Sequence, residues 1–504
     1  MPNRLFDLIP FAAHRERPFA ELPDGRRYTY GDVEDVSGRF ANALVAAGVQ
    51  PGDRVAAQVE KSIEALMLYL ACVRTGAIYL PLNTAYTPAE IEYFLGDAEP
   101  RLFVCDPSRA KLLQPAAAKV GATIETLGIW SSPTVSAGTL ADKGLAADAR
   151  FRTLDRGPDD LAAILYTSGT TGRSKGAMLS HDNLASNAET LVDYWRFTAE
   201  DVLIHALPIF HTHGLFVATN TILAAGASMI FLPKLDAAQV IGLMGRATSM
   251  MGVPTFYTRL LQHPGLTREA AAGMRLFVSG SAPLLAETHR EWQARTGHAI
   301  LERYGMTETN MTTSNPYDGP RVPGRVGPPL PGVSVRVTDR LTGSVLPAGE
   351  AGMVEIRGPN VFEGYWRNPE KTRAEFTDDG FFVSGDLGCL DGSGSLAIVG
   401  RAKDLVITGG YNVYPKEVEA VIDALPGVLE SAVIGLPHGD LGEAVAAVVV
   451  PRPGVALEEG EILAAIADGL ARFKRPRRVF LVSELPRNAM GKVQKNLLRD
   501  RFAS

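Results

Sequence analysis

Cysteine is scarce: Cys72, Cys105 and Cys389 are the only three in 504 residues. They lie in apolar or strand-like stretches with no metal-ligand spacing. A disulfide scaffold is excluded, and reduced structural thiols are expected. An excess of one charge is also lacking. Fifty Lys and Arg against 56 Asp and Glu leave a net −6, which argues against a general nucleic-acid binder. Long apolar runs are few. Residues 214–233 carry no charge over 20 positions, about enough to span a bilayer. They include two Gly, an Asn, two Thr, a Ser and a terminal Pro, so a buried strand and helix are expected instead. No apolar signal segment opens the chain and no lipid anchor is evident, so a cytoplasmic protein that does not contact membrane is expected. His205, His211 and His213 alternate without a partner Cys or carboxylate, so zinc is not expected. A Walker A loop is missing as well: Gly172 is followed by Arg173, and Lys175 by Gly176.

In its place stands Tyr166–Gly176, YTSGTTGRSKG, after the apolar run LAAIL (161–165). It packs three glycines, five hydroxyl residues and two cations into eleven positions. Glycine lets backbone N–H groups close around phosphate oxygens. Thr167, Ser168, Thr170, Thr171 and Ser174 add donors beside Gly169 and Gly172, and Arg173 and Lys175 add charge. A nucleotide polyphosphate is the expected guest. The segment resembles the phosphate loop of the adenylate-forming superfamily, which includes acyl-CoA synthetases, peptide-synthetase adenylation domains and firefly-type luciferases. That resemblance implies cleavage of ATP between its α and β phosphates.

Strand and helix signals alternate through the first 150 residues and continue through VLIHALP (202–208), ASMIFLP (227–233) and RLFVSGSAP (275–283). This predicts an α/β fold with parallel β/α layers. From about 320 to 400, short strands with Gly and Pro turns predict a β-rich subdomain. After residue 400, helices at 416–425 and 458–471 and strands at 430–436, 443–451 and 477–485 predict a small α+β domain. Residues 1–400 and 401–504 are the expected domains. Positions 131–150, rich in Ser, Ala and Gly, read as a surface excursion. Between Arg472 and Arg501, ten Lys or Arg face Glu484 and Asp500, a local +8. Such a tail suits polyanionic small ligands such as ATP or CoA.

YGMTET (304–309) combines an aromatic for a base, Thr307 for the α-phosphate and Glu308 for Mg²⁺, a hard ion that wants oxygen ligands. SGSAPL (279–284) follows an apolar strand, where α/β sheets bind ligands; Ser281 also reads as a helix N-cap. By resemblance, Gly280, Ser281 and Ala282 form the adenine turn, with Tyr304 and Gly305 on the other face of the base. Asp386, in SGD (384–386), corresponds to the ribose clamp and Arg401 to its second contact. Lys403 matches the hinge residue, Gly409 and Gly410 the turn beside the pantetheine tunnel, and His211 the gate between acid and thiol sites. Lys492, in PRNAMGKVQK (486–495), matches the lysine that bridges carboxylate and α-phosphate. These motifs follow the family's order from 166 to 495. CoA is the implied co-substrate, because the sequence stops shortly after Lys492 with no carrier domain attached. Acetylation at Lys492 would remove its charge.

Arg303 precedes Tyr304, and Arg259 lies in VPTFYTRLLQ (253–262). An arginine in a pocket needs an anion, and its fork suits a carboxylate. Two of them suggest a second carboxylate on the substrate. Here, and in HALPIFHTHGLF (205–216), the chain resembles the malonyl-CoA synthetases. That resemblance puts Arg259, Ser281 and Arg303 on the distal carboxylate of malonate, and Thr212 and Met306 against the α-carbon. Methylmalonate or another small acid, loading of a separate carrier protein, and a nucleotide-binding regulator without catalysis are the competing readings.

Overall fold

The computed structural model describes residues 3–130, 137–167, 174–409, 411–467, 469–488 and 491–503. Two large mixed sheets carry the first part of the chain. One orders its strands Asn310–Ser314, Leu301–Met306, Leu276–Ser279, Ser249–Gly252, Val202–His205, Ser228–Phe231, Pro18–Glu21 and Arg27–Thr29. Its neighbours run parallel from Leu301–Met306 to Pro18–Glu21, and antiparallel at both ends. The second sheet is parallel from Leu161–Thr167 to Thr123–Thr126. It ends in the antiparallel pair Leu161–Thr167 and Lys175–Ser180, extended by Gly364–Tyr365.

Local chemistry sets the element ends. Helix Ile63–Thr75 is buried throughout, begins where the Ser62 side chain accepts from Ala65 N–H, and stops at Gly76 with φ 68°. Helix Pro88–Ala98 opens with Pro and a reciprocal Thr87–Glu90 capping box. The uncharged run 214–233 folds as helical turns His213–Ala225 ended by Gly226, then strand Ser228–Phe231. No helix among the described residues is long and apolar enough to cross a membrane.

Strands Ser334–Thr338, Ala351–Arg357, Phe382–Leu390 and Leu396–Arg401 make a four-stranded antiparallel sheet. From Val406 onward the strands form a separate sheet, packed around Val413, Val418, Val433, Val449 and Val479.

Three expectations need correction. Positions 137–150 are not a surface excursion, because helix Thr139–Ala146 buries Leu140 and Ala141. Gly144 admits Phe40, whose ring would lie 2.6 Å from a Cβ there; residues 131–136 lie outside the described residues. The helix expected over 458–471 covers only Glu459–Ala465. Its end tightens through Ala467 N–H to Ala464 O and Gly469 N–H to Ile466 O. Ser281 caps no helix: it holds φ 72°, and the next helix is Ala286–Thr296.

Candidate active site

Strands Val202–His205, Ser249–Gly252, Leu276–Ser279 and Leu301–Met306 are parallel, and each hands the chain to a candidate segment: 206–213, 253–259 (mostly the helix Pro254–Leu261), 280–282 and 307–308. Ligand groups gather at the carboxyl edge of such a sheet. Segment 168–173 joins two antiparallel strands, and strand Lys175–Ser180 follows it rather than a helix. Ser168, Gly169, Thr170, Thr171 and Gly172 lie outside the described residues, as does Gly410. Thr167 and Lys175 face each other in register.

At one end of the site every described charge has a partner. Asp386 and Arg401 pair across neighbouring strands, with Arg401 Nε 2.7 Å from Asp386 Oδ1. Tyr304 Oη donates to Asp386 Oδ2 at 2.6 Å. Gly305 permits the hairpin that aims Tyr304, since a Cβ there would meet Asn310 O at 1.8 Å. Each Asp386 oxygen keeps a lone pair, so the carboxylate fits a ribose with two hydroxyl donors.

Glu308 is buried next to this pair, and burial raises its pKa. Tyr365 Oη lies 3.1 Å from Glu308 and 2.6 Å from Glu375. Lys175 Nζ lies 3.4 Å from Glu375 and 4.3 Å from the Tyr365 ring centroid. A buried carboxylate such as Glu308 fits Mg²⁺, which takes its other ligands from water and phosphate oxygens. Sequence reasoning missed Tyr365 and Glu375. The only local signal was GYW (364–366), and Glu375 lies 200 positions from Lys175.

At the other end the polar groups are buried and unpaired. Arg303 is 3% exposed. Its Nε and Nη2, the Thr212 and Ser279 hydroxyls and His213 Nε2 have no partner among the described residues. Desolvation pushes the Arg303 pKa down to about 9. A Cβ at Gly280 would lie 2.5 Å from the guanidinium, so this glycine makes room for Arg303. Ser281 Oγ lies 3.2 Å from His213 Nδ1. A hydroxyl donating to Nδ1 leaves Nε2–H as the orphan. Arg303 thus presents N–H donors, and the Thr212 hydroxyl and His213 Nε2 are polar groups without a described partner.

His211 joins this end: desolvation first, then Lys492 and Arg303, push its pKa down to about 3. Met306 Sδ lies 3.7 Å from Tyr304 Oη. Ala282 and Thr307 are half-buried beside the turn and Glu308. Arg259 is exposed and lines an open cleft of about 330 Å³ with Lys61, Phe210 and Phe256.

Lys492 spans the two ends. Its ammonium enters from the C-terminal part, crowded by protein yet reached by solvent. Desolvation and Arg401 push its pKa down to about 8, opposed by Asp386 and Glu308, with Arg303 adding to the fall. The neighbouring Gly491 rests near Thr255, at the start of helix Pro254–Leu261. Lys403 lies in the short turn Ala402–Asp404, between the last strand of the four-stranded sheet and the C-terminal sheet. Gly409, at φ 56°, donates its N–H to Leu441 O.

The chain resembles solved structures over its whole length. The crystal structure of ATP-bound MatB from Rhodopseudomonas palustris matches with a TM-score of 0.96 at 63% identity, covering 100% of this chain and 99% of that one. The apo crystal structure of that protein matches at 0.86 and 62% identity, with the same coverage. The arrangement here is closer to the ATP-bound form, in keeping with Lys492 in the cleft. The mitochondrial malonate–CoA ligase of Bos taurus is 36% identical, over 93% of this chain and 86% of its own length. A feruloyl-CoA synthase of Amycolatopsis is 35% identical, over 95% and 94%. Models of the AMP-binding enzyme and of its C-terminal domain match residues 11–366 and 417–492. The chain therefore belongs to the AMP-binding enzyme family, the adenylate-forming enzymes.

Proposed function

We propose that the protein is an ATP-dependent malonyl-CoA synthetase, converting malonate, ATP and CoA to malonyl-CoA, AMP and diphosphate through malonyl-AMP. The observation that carries the choice of acid is Arg303: a buried guanidinium whose Nε and Nη2 have no described partner, close enough to His213 to lower its pKa. A buried cation is costly unless an anion meets it, and a second carboxylate supplies that anion. The 63% identity to ATP-bound MatB supports the use of ATP. The relatives near 35% identity do not decide the acid, since one is named for malonate and another for ferulate.

In the first half-reaction the malonate carboxylate attacks the α-phosphate. Lys492 holds these two anions together, Asp386 and Arg401 fix the ribose, and Thr307 and the 167–175 segment hold phosphate oxygens. Glu308 would hold Mg²⁺, which neutralises phosphate charge when bound. Catalysis here is positioning and charge stabilisation. In the second, the C-terminal part turns about Lys403, Gly409 and Gly410 come to the tunnel, and the CoA thiolate attacks the acyl carbonyl past His211, expelling AMP. We assign the hinge to Lys403 and the domain division to residues 400–401. Lys403→Pro should stop thioester formation and spare adenylate formation; loss of neither would remove the assignment. Acetylation of Lys492 takes away its charge and is a natural control point; an acetylated sample with full activity would end that reading. A cytoplasmic location and a lack of membrane contact belong to the same proposal.

The test is AMP release with Mg·ATP and CoA across acetate, butyrate, benzoate, malonate, methylmalonate and succinate. Malonate-dependent AMP and thioester are expected. Activity with monoacids alone would leave Arg303 a structural residue. Acid-dependent AMP without CoA consumption would point to a separate carrier protein as acceptor.

A further inference from the structure

Lys61 and His205 belong to neither half of the proposed reaction, yet they are built as one unit. Lys61 follows strand Arg54–Gln58 of one large sheet, and His205 ends strand Val202–His205 of the other. Lys61 Nζ lies 3.1 Å from His205 Nδ1 and donates to His205 O at 2.9 Å. It also sits 4.4 Å from the centroid of Phe231, the residue paired with His205 across the sheet. The other ring nitrogen, His205 Nε2, lies 2.9 Å from Gly214 O, which also accepts from Thr219 Oγ1 at 2.9 Å. A carbonyl can only accept, so Nε2 carries the proton and Nδ1 takes one from Lys61. Burial keeps the ring neutral, as this tautomer requires.

The consequence lies in the loop between these anchors. Residues 206–212 leave the sheet at His205 and enter helical turns at His213, so one imidazole ties the strand end to the first helical turn at Gly214. The loop is packed closely within: a Cβ at Gly214 would meet Pro208 O at 2.0 Å, and Gly214 and Leu215 N–H both donate to His211 O. Its far end carries Thr212 and places His213 beside Arg303, with His213 held to Ser281. We propose that Lys61 and His205 are positioning residues that latch the two large sheets together and thereby hold Thr212 and His213 at the acid-binding wall. Lys61 also lines the open cleft beside Phe210, so the latch is set from outside the reaction centre. This rests on the reading of Arg303 and residues 212–213 as the acid's wall, but not on which acid binds there.

The experiment compares Lys61→Met, Lys61→Arg and Thr219→Val with the parent protein, using whichever acid the panel turns over fastest. Lys61→Met removes the donor and keeps the apolar stem. Its acid KM should rise about 10-fold, the loss expected for one buried hydrogen-bonded anchor, while the ATP KM stays within about 2-fold. Lys61→Arg should recover most of the effect. Thr219→Val, which leaves Lys61 untouched, should move the acid KM the same way by less. Histidine side-chain ¹⁵N spectra should show His205 as the Nε2–H tautomer, altered in Lys61→Met. Equal changes in acid and ATP KM, an unchanged acid KM, or a His205 tautomer indifferent to Lys61 would each overturn the proposal. Should Lys61→Met fail to fold, the other two variants decide by the same criterion. An acid preference other than malonate would leave these comparisons intact.

Discussion

The two ends of the active site differ in how their charges are met. At the ribose end, Asp386 is held by both Arg401 and Tyr304. At the proposed acid end, Arg303 Nε and Nη2, His213 Nε2 and the Thr212 and Ser279 hydroxyls are buried without described partners. A paired end is rigid before ligand arrives, so binding there adds contacts to a preformed frame. An unpaired end stores a desolvation cost that only a suitable anion relieves. On the proposed function, affinity for nucleotide and selectivity for acid sit in different parts of the same cleft, and Lys492 joins them.

Removing the joint should have the largest effect. Lys492→Ala should slow adenylate formation on the order of 10²–10³-fold, the usual cost of losing a preplaced electrostatic stabiliser. Thioester formation from supplied acyl-AMP should be largely spared, which a coupled pyrophosphate-exchange and thioester assay would read. Equal loss in both would mean that Lys492 supports the fold rather than the first step.

Arg303→Met tests the unpaired end directly. Selectivity for malonate over butyrate, read as the ratio of kcat/KM, should fall on the order of 100-fold. Stability should move the other way. A cation whose pKa is depressed to about 9 in the fold is penalised at every pH below that value. Replacing it by a thioether should therefore stabilise the ligand-free protein at neutral pH by about 1–4 kcal/mol. Malonate should raise the Tm of the parent and not of the variant. A variant that loses both stability and turnover of every acid would make Arg303 structural.

How far each end was legible in the sequence follows from the same contrast. Asp386, Tyr304 and Arg401 could be read because their motifs are local and the strands Phe382–Leu390 and Leu396–Arg401 are neighbours in sequence. The buried strand before the phosphate segment and the C-terminal strands were legible from periodicity. Long-range placement was not. The Lys175–Glu375 and Lys61–His205 contacts join residues 200 and 144 positions apart, with no local pattern to announce them. Arg259 and Arg303 share a residue type, yet one is exposed and the other buried. Ser281 carried a cap-like signal, and its positive φ instead bends the chain toward His213.

The paired end predicts a milder response. Asp386→Asn keeps the shape but weakens the ion pair with Arg401 and the acceptor for Tyr304. The ATP KM should rise about 10-fold, in line with the loss of a charged hydrogen bond, with acid selectivity unchanged. A change in acid selectivity as large as that in ATP KM would mean that the two ends are not separable.

The smallest expected effect concerns pH, and it depends on the field that the two ends make together. Lys492 acts as an ammonium, and its pKa in this cleft is about 8. Protonation is complete well below that value, so kcat/KM for the acid, which reports the free enzyme, should be flat near neutrality and fall as pH rises through about 8. His211, depressed to about 3, stays neutral across this range and contributes no limb. Once ATP and malonate bind, their negative charges favour the ammonium, so the limb in kcat should lie at higher pH than in kcat/KM. Arg303→Met sharpens the point. It removes one of the cations lowering the Lys492 pKa, and should move the kcat/KM limb upward by a fraction of a unit. A limb that stays fixed would place Arg303 outside the field of Lys492 and break the coupling between the two ends.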